Sequence, residues 1–176
     1  MQPTRLLFAL VIVGSACAAP AKDASSTQAA VATPAAKAIP DDPMDRRIAV
    51  DQGYSLLAAT MLNHDLAMIA GLYDAGASLT LPDSVVHGAR NIADRLAKLA
   101  QGKSMTDFQR TSSSITVMDD STVADSGSYV MVSMRSPTDS VMDHGAYRTR
   151  WRARVGDWVI LEDRIIPGPS RKSGAR

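Results

Sequence analysis

Near Gly102 the spacing of apolar residues changes from helical to alternating, and this switch constrains the fold more than any other feature. Upstream of it, Asp41 or Asp42 can cap a helix with Pro43 at its first position. Val50, Tyr54, Leu57 and Met61 then recur at i, i+4, i+7 and i+11, an amphipathic stripe. Gly53 inside it costs up to about 1 kcal/mol relative to alanine. Asn63–Gly102 is the densest run of local signals. Asp65 can cap a short helix with Leu66, Ile69 and Tyr73 on one side, and Gly76 ends that region. Ala77–Leu81 reads as a strand, Pro82-Asp83-Ser84 as a turn and Val85–His87 as a brief second strand. Gly88 leads into a third helix carrying Ile92, Leu96 and Leu99, which Gly102 closes.

Downstream the period is two. Thr106–Met118 ends in alternating Ile115 and Val117, and Asp119-Asp120-Ser121 is a turn. Val123–Arg135 places Tyr129, Met131 and Ser133 on one face. Ser136–Gly145 reads as a loop. Ala146–Val155 alternates Tyr147, Thr149, Trp151 and Ala153 against Arg148, Arg150, Arg152 and Arg154. Gly156-Asp157 connects it to a last strand, Trp158–Ile166. Helices followed by long antiparallel strands predict an α+β domain with a curved sheet over about three helices. One bulge in the last strand would reverse which of Trp158/Ile160 and Val159/Leu161 point inward.

The two ends read differently. Residues 1–19 have one basic residue, an apolar run Leu6–Val13 and a small-residue exit, the pattern of a secretory signal peptide. The run is shorter than the about 20 apolar residues that span a bilayer. Cys17, the single cysteine, sits where a lipobox places its lipidated cysteine. Ser15 and Ala16 match that motif and Gly14 departs from it; cleavage after Ala18 or Ala19 is the alternative. Residues 20–42, rich in Ala, Pro, Ser and Thr, bury too little apolar surface to fold and read as a tether. Residues 43–167 form the domain and 168–176 a solvated tail. The chain carries 19 Lys and Arg against 18 Asp and Glu, a balance that argues against nucleic-acid binding. An exported, periplasmic or cell-envelope location follows, with an outer-membrane lipid anchor if Cys17 is modified.

Several short pieces fall in a recognisable order: Asn63-His64-Asp65 with Leu66 and Ile69; Leu72-Tyr73-Asp74; Val86-His87-Gly88 with Ile92; and Trp151-Arg152, Gly156-Asp157-Trp158 and Asp163. Together they resemble the SnoaL-like, ketosteroid-isomerase-like superfamily with the nuclear transport factor 2-like fold, in a branch largely without assigned activity. The resemblance implies a cone-shaped α+β barrel, its strongly bent antiparallel sheet wrapped around the helices, with a pocket at the open end. Relatives include isomerases, cyclases, dehydratases and pure binding proteins, so the fold does not choose a function.

In catalytic relatives a pocket carboxylate is the base and hydroxyl donors hold an oxyanion. Here the resemblance points to Asp163, with His87 and Tyr129 as further candidates. Asp163 is more often structural in such chains, and His87 reads as a half-exposed strand-end residue. Tyr54, Met61, Tyr73, Tyr129, Met131, Tyr147 and Trp151 are expected to line a pocket or fill the core. The arginine ladder reads either as an outer face paired with acids, including at a dimer interface, or as an anion-binding surface. His64, His87 and His144 are scattered, so no metal is expected, and no motif calls for a cofactor. The expected function is binding of a small apolar ligand, or action as a homodimeric interaction module. An isomerase, cyclase or hydratase using a carboxylate and a tyrosine is the alternative. Metabolic labelling with a fatty-acid analogue tests the anchor: the parent chain should take up label and Cys17→Ser should not. An unlabelled parent would sink lipidation.

Overall fold

The structure, a computed structural model, describes residues 39–169. The expected leader with Cys17, residues 20–38 of the expected tether and residues 170–176 lie outside the described residues. Helix α1 spans Pro43–Leu62, α2 Leu66–Leu72 and α3 Ala89–Gly102. The strands are β1 Tyr73–Thr80, β2 Val85–His87, β3 Met105–Val117, β4 Thr122–Ser136, β5 Asp139–Ala153 and β6 Trp158–Pro167. They form one six-stranded sheet in the order β2-β1-β6-β5-β4-β3.

Local chemistry accounts for the helix starts. The Asp42 carboxylate accepts from the Met44 amide at 2.7 Å, and Pro43 occupies the first turn, where its missing N–H is no loss. Asp65 caps α2 by accepting from the Met68 amide at 3.0 Å. His64 bridges the two helices in the left-handed region, at φ 55°. The stripe of α1 is buried as its spacing predicts, and α3 buries Ile92, Ala93, Leu96 and Ala100. Both helices lie against the inner face of the sheet, whose core includes Val123, Trp151 and Ile160.

The structure adds four things to the expected architecture. The sheet is mixed and open: β1 runs parallel to β6, whereas every other pair is antiparallel. Those two strands are far apart in the chain, so no hairpin dictates their relative direction. Ser136–Gly145 is not a loop; β4 and β5 continue through it to a tight turn at Pro137-Thr138, with Ser136 paired to Asp139. Its residues are largely exposed where the hairpin overhangs the core, so no apolar alternation marked them as strand. Packing extends upstream of the expected start at Pro43: Ile39 sits against the core and donates its amide to Asp120 O at 3.2 Å. A register shift in β6 skips Leu161, so that Trp151 faces Ile160 while Arg150 faces Glu162. That bulge lets Ile160 and Asp163 both point inward.

Gly53 explains an apparent weakness in α1. A Cβ built there would lie 2.7 Å and 2.9 Å from the indole of Trp151, which is fully buried. The missing side chain is therefore the seat of the tryptophan. Gly53→Ala should destabilise the domain by about 1–2 kcal/mol, overpacking outweighing the gain in helix propensity. Urea denaturation measures this, and a more stable variant would contradict the packing.

Candidate functional site

Register places the polar interior in rows across the sheet. One row runs Asp125 on β4, Thr149 on β5 and Asp163 on β6, all buried and all facing the helices. Two isolated carboxylates there would be untenable without partners. Asp125 accepts from the Tyr54 hydroxyl at 2.6 Å and from Ser112 at 2.5 Å. The Trp151 indole N–H donates to the same tyrosine oxygen at 3.2 Å.

Asp163 has the stronger partner. Arg110, from β3, reaches across the interior and donates Nη1 to Oδ1 at 3.1 Å and Nη2 to Oδ2 at 2.9 Å. Tyr73 donates to Oδ2 at 2.9 Å and Thr149 to Oδ1 at 3.2 Å. The side chains of Arg110 and Asp163 are 2% and 0% exposed, so the pair is sealed from water. The guanidinium also lies 4.9 Å from the ring of Tyr147, 5.1 Å from Tyr54 and 5.5 Å from Phe108, within cation–π range. Burial opposes the arginine's charge, but the Asp163 charge outweighs it and holds Arg110 above its ordinary range. Burial, reinforced by the neighbouring carboxylate, raises both Tyr73 and Tyr54 and keeps them protonated.

Above this floor is a cavity of about 330 Å³ between α1, α3 and the inner sheet. Its walls are mainly Leu57, Met61, Leu96, Phe108, Met131 and Ile165. Arg110 and Tyr129 supply polarity at its inner end. Around it lie two ion pairs, Arg95–Asp83 and Lys103–Asp143, each at 2.8 Å, and His144. Burial and the Asp143 charge raise the Tyr129 phenol, so it stays a donor at neutral pH. Among the described residues no group of His, Cys, Asp or Glu is arranged to hold a metal ion.

The candidates of the sequence thus separate. Met61, Tyr129 and Met131 line the cavity. Tyr54, Tyr73, Tyr147 and Trp151 do not; they are core residues around the two carboxylates. His87 is exposed on β2, remote from the cavity lining, because it sits on the short outermost strand of the sheet. Sequence reasoning missed Arg110, Ser112 and Asp143. The one signal for Arg110 was its place two residues from Phe108 and two from Ser112, sharing their inward parity.

No protein-family model and no curated protein matches the sequence. Solved structures do match. A hexachlorocyclohexane dehydrochlorinase, LinA-type3 from Novosphingobium barchaimii, is similar with a TM-score of 0.60 at 14% identity, over 75% of this chain and 93% of its own. A protein of the NTF2-like family from Streptomyces avermitilis gives 0.58 at 15%, over 73% of this chain and 100% of its own. Rv3472 of Mycobacterium tuberculosis, of unknown function, gives 0.59 at 14%, over 72% of this chain and 76% of its own. The chain has the nuclear transport factor 2-like fold.

Within this NTF2-like domain Asp163 is poorly placed to act as a base. Four hydrogen bonds occupy its two oxygens, about its full acceptor capacity, and it is absent from the cavity lining. Losing its partner should be costly. Arg110→Met alone should lower stability by about 3–5 kcal/mol, since it strands a buried carboxylate. The double variant Arg110→Met/Asp163→Leu should recover most of that loss in denaturant titrations. A single variant within 1 kcal/mol of the parent (roughly the worth of an exposed pair) would show the pair is not sealed.

Proposed function

We propose that the domain is an exported, non-catalytic binding module for a small, mostly apolar and uncharged ligand that carries one hydrogen-bond acceptor. The observation that carries this reading is the composition of the cavity. Its volume lies at the lower end of the ordinary range for small-molecule sites, and its walls are aliphatic, thioether and aromatic. Both guanidiniums of its lining are already neutralised, Arg110 by Asp163 and Arg95 by Asp83. An anionic head would meet no net positive charge there and would lose its hydration; a carbonyl or hydroxyl oxygen would not.

Donors are in surplus. Arg110 Nε is buried and has no partner among the described residues, and Tyr129 remains protonated. A buried donor without an acceptor is unfavourable by about 1–3 kcal/mol, so a ligand oxygen within reach gains that much in orientation preference. The isomerase-type alternative built on Asp163 needs that carboxylate free to take a proton, and it has no open acceptor position; the lining carboxylates Asp83 and Asp143 are each held in an ion pair. The leader and Cys17 support delivery of the domain to a membrane surface.

The neutral fluorophore phenylnaphthylamine provides a test. The parent protein should bind it at one saturable site. Leu99→Trp, which fills the cavity from α3, should weaken binding by at least about ten-fold with the denaturation midpoint kept. An apolar ketone should displace the probe more effectively than the carboxylic acid of the same skeleton. Unchanged binding in Leu99→Trp would remove the cavity as the site.

A further inference from the structure

The outer face of the sheet carries a second concavity, of about 580 Å³, with different chemistry. The arginine ladder of β5 lies on this face, and its members are not equivalent. Arg150 pairs with Glu162 of β6 at 2.8 Å. Arg152 and Arg154 converge on Asp74 of β1, whose carboxylate they and the Gly76 amide hold below its ordinary range although partial burial pulls the other way. Arg148 has no such partner. Among the described residues it makes no ion pair and no side-chain hydrogen bond, and the residue directly opposite on β6 is Arg164, equally exposed and equally unpartnered.

Like charges facing each other across antiparallel strands destabilise a sheet, their Cβ atoms being only about 5 Å apart. The same transverse row continues through hydroxyl residues on both sides. Arg148 faces Ser126, which faces Ser114; Arg164 faces Thr80. Among the described residues none of these three hydroxyls makes a side-chain hydrogen bond, and all three line the groove. Glu162, in the next row, is already held by Arg150. The two aspartates of the groove floor, Asp125 and Asp163, direct their carboxylates into the interior network.

We infer that this row is a binding site for a tetrahedral oxyanion, a phosphate group, clamped between Arg148 and Arg164 with Ser126 and Thr80 as flanking donors. One guanidinium fork consumes both oxygens of a carboxylate, whereas two forks from adjacent strands need an anion with more acceptor atoms. A phosphate provides them, converts the like-charge repulsion into attraction, and accepts from the hydroxyls as well. The site is independent of the inner cavity and of its ligand. The same chemistry serves a soluble phosphate ester or the phosphate of a lipid headgroup, and the two are separable by experiment.

Inorganic phosphate titrated calorimetrically into the parent chain at low ionic strength should give saturable one-site binding that weakens as salt screens it. The variant Arg148→Gln/Arg164→Gln should lose at least about ten-fold in affinity. Arg150→Gln, whose charge is already spent on Glu162, should lose less than about three-fold. All three residues are exposed, so denaturation midpoints should agree. Vesicles of phosphatidylglycerol that bind the parent and not the double variant would assign the phosphate to a headgroup; phosphate binding without vesicle binding would assign a soluble ester. Equal phosphate affinity in parent and double variant, or equal losses in the double variant and Arg150→Gln, would overturn the proposal. So would a dimer, seen by sedimentation, that buries this face.

Discussion

The ion pair between Arg110 and Asp163 is the constraint around which the domain is arranged. A guanidinium and a carboxylate sealed from water each carry a desolvation penalty of several kcal/mol, and their attraction offsets it only with close to ideal geometry and every remaining donor and acceptor engaged. The fold meets this with the two-pronged contact, the Tyr73 and Thr149 hydroxyls on the carboxylate, and three aromatic rings around the guanidinium. These residues come from α1, β1, β3, β5 and β6, so satisfying one pair ties most of the domain together. Such pairs contribute little net stability compared with a well-packed apolar substitute; their larger effect is on which arrangement of elements is tolerated.

The same pair shapes the cavity. It sets a donor-rich, net-neutral floor beneath apolar walls and leaves Asp163 itself with no open acceptor position. Other proteins of this fold include a dehydrochlorinase, so the architecture accommodates catalysis.

Much of the chain announces its structure locally. Asp42, Pro43 and Asp65 start their helices by hydrogen bonds that involve only neighbouring residues, and the stripe from Val50 to Met61 needs nothing beyond helical geometry to point inward. The alternation of Tyr147, Thr149 and Trp151 against four arginines assigns the two faces of β5 equally well. The hairpin tip from Ser136 to Gly145 was not legible, because strands that overhang the core need no apolar face. Arg110 was hidden for another reason. In the largely polar run Thr106–Ser114 only its parity with Phe108 marks Arg110 as inward, and nothing names its partner, which lies 53 residues away.

The sequence by itself therefore determined the three helices, the caps that start α1 and α2, the faces of β5 and the order that names the fold, since each depends on contacts within a turn or a strand. It did not place the end of α2, which stops before Tyr73, or the C-cap of α3, which is Lys103 and not Gly102. Tertiary structure alone decided that β1 joins β6 in parallel, that the Leu161 bulge turns Asp163 inward, and that Arg110 meets it there. It also decided which arginines of the ladder find an acid and which two face each other. Charge pairing across a sheet depends on register between strands distant in the chain, and a one-residue shift in β6 is enough to exchange which face each residue occupies.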